Sequence, residues 1–77
     1  MIATAPYQPE PERYPGGRAF GATIRARRIG AGLTLRRCAE LLGLTMTELS
    51  AIEQGQRRMS EQEFAAFGRA TARETLN

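Results

Sequence analysis

The stretch Gly32–Gly55 has the sequence GLTLRRCAELLGLTMTELSAIEQG and is the most informative part of this chain. It contains two short amphipathic segments, and a tight turn around Gly43 joins them. Each segment is preceded by a threonine, Thr34 or Thr45, and a threonine side chain is well suited to cap the first turn of a helix. A helix, a glycine-containing turn and a second helix at this spacing are typical of a helix-turn-helix unit, in which the first helix supports the second.

Helical periodicity continues on both sides of this unit. Apolar residues recur at helical spacing from about Arg18 to Ile29, and a capping pattern from Ser60 to Glu63 opens another helix further along the chain. No segment shows the apolar–polar alternation of a β-strand. We therefore predict an all-α fold, a compact domain of four helices, or of four to five, at about 18–29, 35–42, 46–53 and from 61 onward. The predicted core comprises Phe20, Ile24, Leu33, Cys38, Ala39, Leu42, Leu44, Leu49, Ile52, Phe64 and Phe67.

Residues 1–17 differ in composition from the rest of the chain, because they hold all four prolines and both tyrosines. Proline removes a hydrogen-bond donor and disfavours helix in the residue before it. We therefore predict a flexible, disordered N-terminal arm at 1–17 and a helix-turn-helix domain at 18–77. The alternative is an arm that docks on a partner or on its own domain, with Tyr14 as the anchor.

The charge of the chain is unevenly distributed. All eleven basic residues are arginine and all eight acidic residues are glutamate, for a net charge of +3. Residues 13–60 contain nine arginines against three glutamates, whereas residues 1–12 and 61–77 are each net acidic. The basic excess therefore lies on the segment that holds the helix-turn-helix pattern. Such a surface suits phosphate binding, and a solvated basic face is the plain structural alternative.

The residue inventory excludes most enzyme chemistry and most metal sites. The chain has no histidine, no aspartate and one cysteine, so an acid–base pair or a metal cluster has almost nothing to be built from. Cys38 falls on the inward face of the predicted second helix, where we interpret it as a small core residue. No apolar run approaches the roughly 20 residues that span a bilayer, and the N-terminus lacks the regions of a signal peptide. We expect a soluble, cytoplasmic protein that is not an enzyme, needs no cofactor or metal and has no membrane partner.

The predicted third helix carries the functional hypothesis. At about 100° per residue, Leu49 and Ile52 face the core. The opposite face then consists of Met46, Thr47, Ser50, Ala51 and Gln54. These side chains are uncharged and mostly short, whereas an ordinary exposed helix face usually carries long charged residues. The pattern therefore favours close approach to the floor of a DNA groove, with an ordinary solvated face as the alternative.

The stretch Gly32–Gly55 resembles the lambda-repressor-like, or Cro/C1-type, helix-turn-helix family. The residues that carry the resemblance are Gly32-Leu33-Thr34, Ala39-Glu40, Leu42-Gly43-Leu44, Leu49-Ser50 and Ile52-Glu53-Gln54-Gly55. The similarity extends from about Phe20 through the predicted fourth helix. It implies a transcriptional regulator that binds double-stranded operator DNA, usually as a homodimer on a pseudo-palindrome.

The resemblance also implies roles for individual residues. The expected base-reading residues, on the exposed face of the recognition helix, are Met46, Thr47, Ser50 and Ala51. The expected phosphate-binding groups, at the N-terminal end of the second helix and in the loop after the third, are the backbone N–H of Leu35, the side chain of Gln54, and Arg57 and Arg58. Family members also pair an arginine late in the first helix with the glutamate that ends the recognition helix. This implies an ion pair between Arg28 and Glu53.

Two functions of different classes remain open at this point. The leading hypothesis is a sequence-specific DNA-binding regulator, specifically a small repressor or autoregulator of a phage or other mobile element. The alternative is a protein-interaction module on the same fold, such as an antitoxin or a polymerase-binding adaptor, that uses the surface of Met46, Thr47 and Ala51. The basic excess near the motif favours DNA, whereas the acidic arm suits a protein partner.

Overall fold

The computed structural model describes residues 13–72, so residues 1–12 of the predicted arm and residues 73–77 of the predicted domain lie outside the described residues. Within the described range the chain forms no strand and four α-helices, which are α1 (Gly17–Gly30), α2 (Leu35–Leu42), α3 (Met46–Glu53) and α4 (Glu61–Ala72). The predicted all-α, four-helix fold is confirmed. The α1 helix begins one residue earlier than its periodicity indicated.

Side-chain caps define where the helices begin. Thr34 accepts a hydrogen bond from a main-chain N–H in the first turn of α2. Thr45 and Glu48 form a capping box at α3, in which each side chain accepts a main-chain N–H of the other residue, at 3.0 and 2.9 Å. Ser60 and Glu63 make the same reciprocal pair at α4, at 3.1 and 2.9 Å. Because each box satisfies two donors that a helix end leaves free, short helices gain defined starts.

The turn between α2 and α3 depends on a left-handed residue. Gly43 has a φ of 72°, a conformation that glycine adopts without steric cost. The N–H of Leu44 donates to the carbonyl oxygen of Ala39 at 2.8 Å, so the chain leaves α2 with its last carbonyls partly satisfied. This tight exit brings the start of α3 directly beside α2, as the helix-turn-helix interpretation requires.

One hydrophobic core lies between the four helices. Its buried members are Ile24, Cys38, Ala39, Leu42, Leu49, Ile52 and Phe67, and Phe20, Leu33 and Leu44 are packed against it half-buried. All but one of the predicted core residues therefore belong to the core. Cys38 is fully buried, and this burial raises the pKa of its thiol, which makes the reactive thiolate rarer.

The prediction that Phe64 belongs to the core was wrong. Its side chain is 46% exposed, and its ring contacts the ring of Phe20 at a centroid distance of 6.1 Å. The inward stripe of α4 is set by Phe67 and Thr71, which are both buried. Phe64 shares the helical face of Phe67 and Thr71, since it precedes them by three and seven residues, but it lies in the first turn of α4 and so sits at the edge of the core. The hydroxyl of Thr71 donates to the carbonyl oxygen of Phe67 at 2.9 Å and is thereby satisfied.

A glycine allows α1 and α3 to approach closely. Gly21 is buried, and a methyl group placed on it would overlap the carbonyl oxygens of Ile52 and Glu53. The backbone of α1 therefore lies directly on the C-terminal end of α3. This contact fixes the position of α3 from the side opposite to its exposed face.

Candidate nucleic-acid interface

The exposed face of α3 and the N-terminal end of α2 border a shallow depression of about 370 Å³. Its lining residues are Leu35, Met46, Thr47, Ser50, Ala51, Gln54 and Gln56. All four predicted base-reading residues are brought together here, with two of the four predicted phosphate-binding residues. Arg57 and Arg58 do not line it. Gln56 is not among the predicted site residues, because it follows Gly55, where helical periodicity ends.

The two faces of α3 differ as the helical spacing predicts. Leu49 and Ile52 are fully buried, whereas Met46 is 44% exposed and Thr47 is also exposed. Gln54, at the end of the helix, donates from Nε2 to Oγ of Ser50 at 2.9 Å. This bond holds the Gln54 amide along the face of α3, in the depression and next to the start of α2.

The expected ion pair between Arg28 and Glu53 is present and largely buried. Nε of Arg28 lies 2.6 Å from Oε2 of Glu53, and Nη2 lies 3.2 Å from Oε1. The third donor, Nη1, reaches the carbonyl oxygen of Leu33 at 2.9 Å. Only 12% and 6% of the two side chains are exposed. The hydrogen bond with Glu53 raises the pKa of Arg28, and the contact ties the end of α3 to α1.

Arg57 has a partner that no local pattern in the sequence indicates. Its Nη1 and Nη2 donate to the two carboxylate oxygens of Glu63 at 3.0 and 3.1 Å, and Nη1 also donates to the carbonyl oxygen of Arg58. Glu63 faces the loop because its carboxylate caps Ser60 at the start of α4. The Arg57 guanidinium and the Ser60 N–H lower the pKa of Glu63 to about 2. A DNA phosphate at Arg57 would therefore share this guanidinium with Glu63.

Arg58 is exposed, and its guanidinium lies over an aromatic ring. The Cζ atom of Arg58 is 4.3 Å from the centroid of the Tyr14 ring. The Tyr14 hydroxyl donates to the carbonyl oxygen of Arg57 at 3.3 Å, and the N–H of Arg13 donates to that of Gly55 at 2.9 Å. The part of the predicted arm that the structure describes is therefore docked on its own domain, with Tyr14 as the anchor.

A second depression adjoins the first and is bordered by arginine. Its lining residues are Arg25, Arg28, Leu35, Ser50, Glu53 and Gln54. Arg25 is exposed on α1 and extends the basic border of the α3 face. The sequence places Arg25 in a basic helix, but its proximity to α3 follows only from how α1 and α3 cross.

Among residues 13–72 no cluster of three or more acidic, histidine or cysteine side chains is arranged to hold a metal ion. Over the same range, every helix is too short or too polar to cross a membrane.

Known proteins share this fold and part of this sequence. Residues 19–75 match the model of a helix-turn-helix domain family. Two structures of the clp gene regulator ClgR from Corynebacterium glutamicum are each 32% identical to this chain and superpose with a TM-score of 0.70 over 80% of it. The similarity covers 78% of one of those ClgR chains and 65% of the other. No curated protein matches the chain.

Proposed function

This chain belongs to the helix-turn-helix domain family, and from that premise we propose that it is a transcriptional regulator that binds specific sequences of double-stranded DNA. One observation carries the proposal: the exposed face of α3 and the N-terminal end of α2 line the same depression. In helix-turn-helix proteins the second helix enters the major groove while the first crosses the backbone. The similarity to a known gene regulator supports the same function.

The chemistry of the α3 face suits base contacts of limited specificity. Met46 and Ala51 offer methyl groups that can contact the C5-methyl of thymine, and Thr47 and Ser50 offer hydroxyls for hydrogen bonds to base edges. None of these side chains can make the bidentate hydrogen bonds by which arginine or glutamine reads a base. We therefore propose that part of the sequence preference comes from DNA shape.

Four groups around this face would hold the DNA backbone. The N–H of Leu35 opens α2, and the positive end of a helix favours anions. Gln54 lies in the depression beside it. Arg58 is exposed after α3, and Arg57 would contribute the donors that Glu63 leaves free. Neutralising phosphates releases counterions, so binding should weaken steeply as the salt concentration rises.

We further propose that the chain acts in the cytoplasm as a homodimer on a pseudo-palindromic operator, as a small repressor or autoregulator of a phage or other mobile element. One helix of eight residues contacts few base pairs, and a second copy supplies a second half-site about one DNA turn away. The resemblance to the Cro/C1-type family supports the repressor role and the mobile-element origin.

Selection from a randomised operator library at two salt concentrations tests this function. We expect enriched sites with two-fold symmetry. Met46→Ala or Thr47→Ala should change the preferred base pairs by about 1 kcal/mol or more per position, with little effect on the salt slope. Arg58→Ala should weaken all sequences nearly uniformly and make the slope of log K against log salt shallower by about 1.

Two results would count against the proposal. If the Met46 and Thr47 variants keep the wild-type preference while the Arg58 variant shifts it, α3 is not the reading helix. If the wild-type chain does not bind duplex DNA at low salt, the proposal that it is a DNA-binding protein is wrong.

The second candidate is a protein-interaction module, and one observation favours it. Met46 is 44% exposed at the start of α3, in a depression that no charged side chain lines. A protein groove would accept this surface through apolar contacts. An antitoxin or a polymerase-binding adaptor would be a module of this kind. Under this alternative, Met46→Glu abolishes binding of the protein partner, and the wild-type chain does not bind duplex DNA.

A further inference from the structure

The segment before α1 is docked on the loop that follows α3. The N–H of Arg13 donates to the carbonyl oxygen of Gly55 at 2.9 Å, and the N–H of Gly17 donates to that of Tyr14 at 3.0 Å. Packing reinforces these bonds, because a methyl group on Gly17 would lie 2.9 Å from both the Gly55 carbonyl oxygen and Cζ of the Tyr14 ring. The Tyr14 ring therefore rests against the first turn of α1.

One side chain from this segment contacts two consecutive residues of the loop. The Tyr14 hydroxyl donates to the carbonyl oxygen of Arg57 at 3.3 Å, and the face of its ring lies 4.3 Å from Cζ of Arg58. Cation–π attraction operates to about 6 Å from the ring centroid, so this contact is well inside its range. Tyr14 thus holds both the backbone of the loop and the charged end of Arg58.

The two arginines of the loop are held in different ways, and the difference matters for binding an anion. The carboxylate of Glu63 occupies N–H donors of Arg57 and neutralises its charge. The ring of Tyr14 offers no lone pair and no full negative charge, so the contact leaves the charge of Arg58 and its N–H donors available. Arg58 is therefore restrained while it stays able to bind a phosphate.

We infer that Tyr14 is a positioning residue that orients Arg58 toward a DNA phosphate, and that residues 13–16 belong to the DNA-binding unit. This inference rests on the proposed function. An arginine that is already restrained loses less side-chain freedom when it binds, so the same contact gives higher affinity. Tyr14 need not touch DNA for this effect.

A double-mutant cycle on the full chain tests the inference. The probe is a labelled DNA duplex of random sequence, and its dissociation constant is measured at two salt concentrations for wild type, Tyr14→Ala, Arg58→Ala and the double variant. We expect Tyr14→Ala to weaken binding roughly three- to tenfold, because an unrestrained Arg58 must lose its side-chain freedom when it binds. In the Arg58→Ala background the same change should have no further effect.

Two further variants separate positioning from folding. Tyr14→Phe keeps the ring and loses only the hydroxyl, so its affinity should stay within about twofold of wild type. Its Arg58 side-chain protons should keep the ring-current shift in NMR spectra that Tyr14→Ala abolishes. Arg69→Ala removes an exposed arginine from α4 and should leave the salt slope unchanged.

The outcomes distinguish this inference from the function on which it rests. A wild-type chain that binds no duplex DNA overturns the proposed function. A wild type that binds DNA while Tyr14→Ala matches it overturns the role of Tyr14 alone. The role is also overturned if the losses from Tyr14→Ala and Arg58→Ala simply add, because a general loss of stability would act independently of Arg58.

Discussion

The guanidinium of Arg28 is the meeting point of three parts of the molecule. It donates to both carboxylate oxygens of Glu53 at the end of α3 and to the carbonyl oxygen of Leu33 before α2. A mostly buried ion pair adds little net stability. Removing one partner is nevertheless strongly destabilising, because the other charge stays buried and unpaired. The pair therefore acts as a positional constraint on α3.

Glu53→Ala should lower the free energy of unfolding by roughly 2–3 kcal/mol, because it leaves the Arg28 charge largely buried without a partner. Urea denaturation measures this loss. The matched control is Glu40→Ala, since Glu40 pairs with Arg37 on the surface, where both side chains are more than half exposed. The control should cost less than about 1 kcal/mol. Equal, small losses in the two variants would show that the Arg28 pair is no more important than a surface pair.

At the scale of a helix, the start of α4 is stabilised by one carboxylate with two tasks. Glu63 accepts the Ser60 N–H in the capping box and also both Nη groups of Arg57. The first interaction defines where α4 begins. The second fixes the loop between Gly55 and Ser60, so the capping box and the loop conformation depend on the same ionised group.

Stability should depend on pH through Glu63. Its pKa falls from the ordinary 4.5 to about 2 in the folded chain, so its contribution is complete above pH 4.5 and is lost as pH falls from about 4.5 to 2. Glu63→Gln should therefore reduce stability at neutral pH by roughly 1 kcal/mol and flatten the acid limb of the stability curve. Thermal melts between pH 2 and 7 measure both effects.

Glu61→Gln is the matched control for this experiment, since Glu61 is an exposed glutamate of the same helical turn. If the Glu61 and Glu63 variants have the same acid limb, the Arg57–Glu63 pair does not stabilise the loop.

For the whole molecule, the position of α3 depends on how closely α1 can approach it. Gly21 places the α1 backbone against the carbonyl oxygens of Ile52 and Glu53, and Gly55 meets the first turn of α1 just beyond. Gly55 also has a φ of 78°, so no other residue fits there without strain. Two glycines thus set the orientation of the exposed α3 face, although neither lies on it.

Gly21→Ala should destabilise the chain by roughly 1–3 kcal/mol, because the added methyl group forces α1 away from α3. This expected loss is opposite in sign to the effect of helix propensity alone, since alanine stabilises a helix by about 1 kcal/mol relative to glycine. Gly68→Ala in α4 is the matched control: nothing lies within 4 Å of the added methyl group, and stability should rise by up to about 1 kcal/mol. Chemical denaturation of both variants measures the difference. If Gly21→Ala is as stable as Gly68→Ala, the close approach does not constrain α3.

Features that act over a few residues could be predicted from the amino-acid sequence. The helix starts at Thr45 and Ser60 were predictable because a capping box spans only four residues. The inward side of α3 followed from the apolar side chains of Leu49 and Ile52 and from their spacing along a helix. The exposed face that forms most of the candidate site followed with it, since a helix of known register has a known opposite side.

Contacts between side chains far apart in the chain follow only from how the helices and loops pack. The side-chain positions of Phe64, Arg57 and Tyr14 illustrate this. Periodicity placed Phe64 near the core stripe, but the packing of α4 set the stripe on Phe67 and left Phe64 half exposed. Arg57 and Glu63 were each visible in the sequence, yet their pairing depends on the path of the loop between them. Tyr14 meets the loop across 43 positions of the chain. Such contacts depend on the relative orientation of whole elements, which no local pattern encodes.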